Sequence, residues 1–176
     1  PGISLNELNK ILEDSEEDIN IAISMGYVIF KLENTTVYSR LLEGQFFNYK
    51  DIIRDEHKTT IIVDKREFQN GLERASLLAK EDKANLVRLS LEDGDINIST
   101  NTEIGNAHEV VSGQQEGENI KIAFNSRYLL EGIKVIDADR IKLNFMGSIN
   151  PCIIEALDDD NYIYLVLPVR LAQDDF

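Results

Sequence analysis

The stretch Thr60-Ile61-Ile62-Val63-Asp64-Lys65-Arg66-Glu67-Phe68-Gln69-Asn70-Gly71-Leu72 contains the transition that decides the fold. Its opening residues read as a strand, and Asp64 then stands three residues ahead of Glu67, the spacing of a capping box that starts a helix. Working outward, Phe68, Leu72, Ala75 and Ala79 share one stripe, which predicts a helix from Lys65 to Ala79 with one apolar face. Three strands follow, at Val87–Leu91, Ile96–Thr100 and Ile104–Val111, with Asp93-Gly94 as the turn between the first two.

The same order returns about sixty residues later, and such self-similarity is the most informative signal in the chain. Ile120–Phe124 leads through Asn125, a good N-cap, into a helix from Ser126 to Ile136 whose stripe is Leu129, Ile133 and Ile136. Strands at Ile141–Phe145, Cys152–Ala156 and Tyr162–Leu167 complete this copy, with Asp158-Asp159-Asp160-Asn161 as a turn. An earlier copy has a helix from Leu5 to Leu12, a capping box at Ser4 and Glu7, and strands Ile19–Ile23, Val28–Leu32 and Val37–Leu42. Only Pro1-Gly2-Ile3 precedes that helix, so the chain is expected to start inside a domain of a longer protein. The fold class is α+β, with tandem βαβββ units whose helices cover one face of antiparallel sheets.

Composition narrows the function. The chain has 176 residues, 43% of them hydrophobic, with 18 Lys and Arg against 32 Asp and Glu, for a formal charge of −14. By itself that charge argues against nucleic acid, because phosphate neutralisation needs cations; it does not say how the cations are distributed. No apolar run approaches the ~20 residues of a membrane span, and the first residues do not read as a signal peptide, so a cytoplasmic location without a membrane partner is expected. The single cysteine, Cys152, excludes an intramolecular disulfide and sits in the apolar run Cys152-Ile153-Ile154, where it is expected to be buried.

Catalysis is not indicated. His57 and His108 have no obvious partners, no Gly-rich phosphate loop is present, and no serine lies in a nucleophile elbow. Asp158-Asp159-Asp160 could suggest a metal, but it falls between strands where such residues make turns; neither metal nor cofactor is expected. Away from the apolar stripes, one helix carries Arg66, Asn70, Glu73, Arg74 and Lys80, and the other carries Arg127, Glu131 and Lys134. Read alone, these are solvated faces with intrahelical ion pairs. Leu77 departs from the pattern by standing on the polar face beside Leu78; single exposed leucines are common, and a neighbouring pair leaves an interface open as the alternative.

Three segments together resemble the bacterial DNA sliding clamps, the beta subunits of DNA polymerase III. They are the linker Gly44-x-Phe46-x-x-Tyr49, the strand-to-helix step Phe124-Asn125-x-x-Tyr128-Leu129, and Leu167-Pro168-Val169-Arg170-Leu171. The resemblance runs almost to Leu171. It implies the DNA-clamp fold, with residues 1–55 as the second half of a middle domain plus linker, 56–171 as a complete C-terminal domain, and 172–176 as an acidic tail.

What the resemblance further implies is a non-enzymatic ring of two protomers around double-stranded DNA, a processivity factor for DNA replication, with helices lining the hole. Lys10, Arg66, Arg74, Lys80, Arg127 and Lys134 would then face the DNA, reading phosphate rather than sequence. A pocket for short peptides of polymerases, the clamp loader and repair proteins would use Phe47, Asp51, Ile52, Asn125, Tyr128, Ile149 and Pro151. The closing segment Leu165, Val166, Leu167, Pro168, Val169, Arg170 and Leu171 would complete it. Leu77, Leu78, Glu103, Ile104 and Glu109 would meet the other protomer. The tail's Gln173 and Phe176 loosely mimic the captured peptide. The competing reading is a protein-interaction scaffold of the same units without DNA, which would scatter the four cations Arg66, Arg74, Arg127 and Lys134 instead of gathering them.

Overall fold

The computed structural model describes residues 1–12, 18–46, 48–49, 53, 57–80, 84–159 and 161–171, and the chain divides into two units, Pro1–Tyr49 and Lys50–Phe176. In the first unit a helix, α1 (Gly2–Ile11), is followed by β1 (Asn20–Ser24), β2 (Tyr27–Lys31) and β3 (Thr36–Arg40), an antiparallel meander. Leu8 and Phe30 are its buried apolar residues. The expected capping box at Ser4 and Glu7 does not form. The carbonyl of Pro1 already accepts from the Ser4 and Leu5 amides (3.0 and 3.4 Å), so the helix starts at Gly2 and Ser4 lies inside its first turn. Glu7 instead pairs with Lys10 at 2.6 Å.

The second unit runs β4 (Thr59–Asp64), α2 (Lys65–Ala79), β5 (Leu86–Glu92), β6 (Asp95–Thr102), β7 (Gly105–Gly117), β8 (Ile120–Asn125), α3 (Ser126–Lys134), β9 (Arg140–Phe145), β10 (Cys152–Ala156) and β11 (Ile163–Val166). Both capping readings hold here. Asp64 accepts from the Glu67 amide at 2.8 Å and Asn125 from the Arg127 amide at 3.0 Å, each satisfying a donor that a helix start leaves open. Asp93 and Gly94 both take positive φ, 55° and 93°, as a two-residue hairpin turn requires. The eight strands form one antiparallel sheet in the order β11-β10-β9-β4-β7-β6-β5-β8.

That order differs from two modules lying side by side. The opening strand of the first copy, β4, is hydrogen-bonded to β7 of its own copy and to β9 of the next, while β8 pairs with β5. The copies therefore interlock, each lending its first strand to the other. The long strand β7 makes this possible by changing partner: Gly105–Ser112 pairs with β6 and Gly113–Gly117 with β4. At the handover, a Cβ on Gly113 would lie 2.7 Å from the Ile62 carbonyl and 2.8 Å from Val63 Cγ1, so only glycine fits between the strands.

Alternate residues of each strand point beneath the helices and form one core. Ile61, Val63, Leu89, Ile98, Ile122, Phe124, Leu143 and Phe145 are almost completely buried, as is the α2 stripe Phe68, Leu72, Ala75 and Ala79. Each such Leu, Ile or Phe contributes roughly 1.5–3 kcal/mol by leaving water. The helices α2 and α3 also pack on one another. On the opposite face the sheet carries a polar row in which Thr60 donates to Asn144, Asn144 to Glu155 (2.9 and 2.8 Å), and Lys142 pairs with Glu155 at 2.9 Å. Asn144 is buried but bonded on both sides, so its burial carries no unsatisfied polar cost.

Several element ends shift by one to a few residues, and for two of them the cause is visible. The strand expected from Ile104 begins at Gly105 and continues to Gly117, because Glu103 and Ile104 form the hairpin turn and Gly105 takes a φ of 153°. The helix expected to reach Ile136 ends at Lys134, while the Ile136 amide donates to Ile133 and its side chain stays in the core. Cys152 is fully buried, and burial pushes its thiol well above the usual range. No helix among the described residues is long and apolar enough to cross a membrane. Replacing Gly113 by alanine is expected to lower the unfolding free energy by about 1–3 kcal/mol in urea denaturation, since the new methyl forces the two strands apart; an unchanged midpoint would contradict the close approach.

Candidate functional site

Three segments of the second unit meet near the end of β8. The Ser126 amide donates to the Asn85 carbonyl at 2.8 Å, with Asn85 in the left-handed region at φ 48°, and this fixes where α3 leaves the sheet. The closing segment returns to the same place: the Val169 amide donates to the Ala123 carbonyl at 2.8 Å, so residues after β11 run along β8. Because Cys152 pairs with Val166, Pro151 and Leu167 follow one another across the end of the β10–β11 ladder.

Apolar side chains are left at the surface there. Tyr128, Ile149 and Leu167 are 52%, 64% and 66% exposed. Pro151, Leu165, Pro168, Val169 and Leu171 are half-buried, Asn125 is half-buried and committed to its cap, Arg170 is exposed, and Val166 belongs to the core. Phe47, Asp51 and Ile52, together with tail residues 172–176, lie outside the described residues. Sequence reasoning passed over what holds α3 in place. The Tyr164 hydroxyl donates to the Tyr128 carbonyl at 2.9 Å and the Tyr162 hydroxyl to the Gly132 carbonyl at 2.8 Å, with the two rings parallel. Gly132 is required because a Cβ there would enter the Tyr164 ring; a lone glycine inside an otherwise helical pattern was the available signal.

The outward faces of α2 and α3 form one continuous surface, linked by the Lys134–Glu73 ion pair at 3.1 Å. Arg127 pairs with Glu131 on α3 at 2.8 Å. Arg74, expected to face DNA, instead forks onto Glu109 of β7, with Nε to Oε1 at 2.9 Å and Nη2 to Oε2 at 2.6 Å. This joins two residues that the sequence reading assigned to different surfaces. The guanidinium holds the Glu109 carboxyl below its usual range, and Lys134, then Gln69, do the same for Glu73. Arg66 and Lys80 are exposed and make no ion pair among the described residues. Lys10 lies in the first unit, paired with Glu7.

Leu77 is 66% exposed and Leu78 half-buried near the end of α2, while Glu103 and Ile104 are exposed in the β6–β7 turn. A polar depression of about 650 Å³ lies at the start of α2, lined by Asp64, Lys65, Arg66, Gln69, Asp137, Ala138 and Asp139. It draws in none of the peptide-site residues. No group of three or more His, Cys, Asp or Glu side chains is placed to hold a metal among the described residues.

Comparison with known proteins fits this arrangement. Residues 50–170 match the family described as the DNA polymerase III beta subunit, C-terminal domain, and residues 1–48 match its central domain. The chain belongs to the DNA polymerase III beta subunit family. It is 41% identical over 173 residues to the Beta sliding clamp of Bacillus subtilis (strain 168) and 39% identical over 172 residues to that of Staphylococcus aureus, covering 97% of this chain and 46% of each relative. Among solved structures, the DNA polymerase sliding clamp from Bacillus subtilis superposes with a TM-score of 0.82 at 40% identity, over 98% of this chain and 46% of that one. The beta chain of DNA polymerase III from Streptococcus pneumoniae gives 0.84 at 28% identity, over 97% and 46%. The chain thus spans about half the length of the relatives it matches, and within that half the DNA-clamp fold is the family's.

The contact that seats the closing segment is open to measurement. Amide hydrogen exchange at Val169 is expected to be roughly tenfold slower than at Arg170, from the single hydrogen bond to Ala123. Equal rates at the two positions would mean that the segment does not lie on β8.

Proposed function

We propose that this chain is part of a DNA sliding clamp, a non-catalytic processivity factor that acts in the cytoplasm during DNA replication. In the longer protein it would form a two-protomer ring around duplex DNA. Residues 1–55 would supply the second half of the middle domain and the linker, 56–171 the C-terminal domain, and 172–176 an acidic tail. The reading is supported by family membership and by the packing of α2 on α3, whose outward faces, bearing Arg66, Arg74 and Lys80 on one helix and Arg127 and Lys134 on the other, are joined by the Lys134–Glu73 pair. Cations on one helical face meet phosphates of any sequence, which permits sliding. The interface with the other protomer would use Leu77, Leu78, Glu103, Ile104 and Glu109.

The second site would capture extended peptides of polymerase, clamp loader and repair proteins. Exposed Tyr128, Ile149 and Leu167, framed by Pro151 and by Pro168 to Leu171, offer apolar surface for one or two anchoring side chains, and backbone groups would fix direction. The test is fluorescence polarisation with a labelled peptide that begins with glutamine and ends in hydrophobic residues. Saturable binding is expected, weakened at least about thirtyfold when Leu167 and Val169 are both changed to Asp, since the loss of one such anchor alone costs about 2 kcal/mol. Equal binding by the double variant, or no saturable binding by the chain, would defeat the pocket.

A further inference from the structure

We infer that Glu73, Glu109 and Glu131 act as internal stand-ins for phosphate, occupying the cations of the α2–α3 surface so that its attraction for DNA is held low. The inference rests on the reading of that surface as DNA-facing and adds what sets its strength. The geometry is specific at Arg74, whose two donors meet both oxygens of Glu109 at 2.9 and 2.6 Å, the forked arrangement a guanidinium also offers to phosphate. Glu109 is not a helical neighbour but comes from β7, and its side chain is only 24% exposed. Lys134 is engaged by Glu73 on the adjacent helix at 3.1 Å and Arg127 by Glu131 at 2.8 Å.

Ion pairs as exposed as these are weakly held, so phosphates can exchange with the carboxylates. Each exchange nevertheless replaces one anion by another, and the cation contributes only the difference. The larger share of the remaining attraction comes from Arg66 and Lys80, which make no ion pair among the described residues, although Arg66 shares a depression with Asp64, Asp137 and Asp139 and Lys80 acts through space on Glu73. A surface so arranged holds duplex DNA loosely and without fixed contacts, as movement along the duplex requires.

The experiment is fluorescence anisotropy of a labelled duplex of about 30 base pairs, from about 50 mM salt upward. It compares the chain, the triple variant Glu73→Gln, Glu109→Gln, Glu131→Gln, and a charge-matched control, Glu33→Gln, Glu116→Gln, Glu118→Gln. The control residues are exposed and pair with no cation among the described residues. The triple variant should bind more tightly by about two- to fivefold for each pair released. Its salt dependence should steepen by about 0.9 in logarithmic slope per freed cation, whereas the control should keep the slope of the parent chain. Equal tightening by the control, or an unchanged slope in the triple variant, would overturn the inference. Changing Arg66 and Lys80 to Ala separates the two levels. If that change weakens binding and the triple variant does not tighten it, the inference fails alone; if neither matters, the DNA-facing reading fails and takes the inference with it. Should the triple variant not fold, Glu109→Gln alone carries the expectation for one cation.

Discussion

The second unit depends on one exchange: β4 hydrogen-bonds along both edges, to β7 of its own copy and to β9 of the other. A strand with both edges satisfied leaves no open backbone at the centre of the sheet. It also places the helices that follow β4 and β8 on the same face. There α2 and α3 bury Phe68, Leu72, Leu129 and Ile133 against a shared core and turn their remaining residues outward together. The joint surface is thus a consequence of strand exchange, and Gly113, where β7 passes from one partner to the next, is the position that allows it.

Electrostatics then decide what that surface can do. A chain of net charge −14 keeps cations on its helices, yet Arg74, Arg127 and Lys134 are each engaged by a carboxylate. The opposite face of the sheet is closed by the Thr60, Asn144, Glu155 and Lys142 row, in which polar groups satisfy one another. The two faces differ in kind: around β4, β9 and β10 the strand face has polar groups that satisfy one another, whereas the helical face has charges in exchangeable pairs, with Arg66 and Lys80 outside any ion pair among the described residues.

Local features were legible in the sequence because their causes are local. Asp64 and Asn125 accept from helix-start amides as expected of N-cap residues, and the stripe of Phe68, Leu72, Ala75 and Ala79 follows from helical period alone. Ser4 misled because a serine and a glutamate at the right spacing do not fix a start when Pro1 and Gly2 can begin the helix earlier. What depended on distant partners was not legible. The β4–β9 pairing joins residues about eighty apart in the chain, Thr60 with Asn144 for example. Nothing near Arg74 announces Glu109, and nothing near Gly132 announces the Tyr164 ring. For the candidate peptide site, the motif around Asn125 and Tyr128 and the run from Leu167 to Leu171 pointed to segments that the Val169–Ala123 contact draws to one end of the sheet.

The central proposal is that the helical face, and not the strand face, meets duplex DNA. The direct measurement is a map of backbone amide chemical shifts as a short duplex is added to the isotopically labelled chain. Arg66, Asn70, Arg74, Lys80, Arg127 and Lys134 should shift, while Arg88, Ser90 and Lys121, which point to the opposite side of β5 and β8 from the core, should stay in place. Shifts concentrated on Arg88 and Lys121, with the helices silent, would contradict the account.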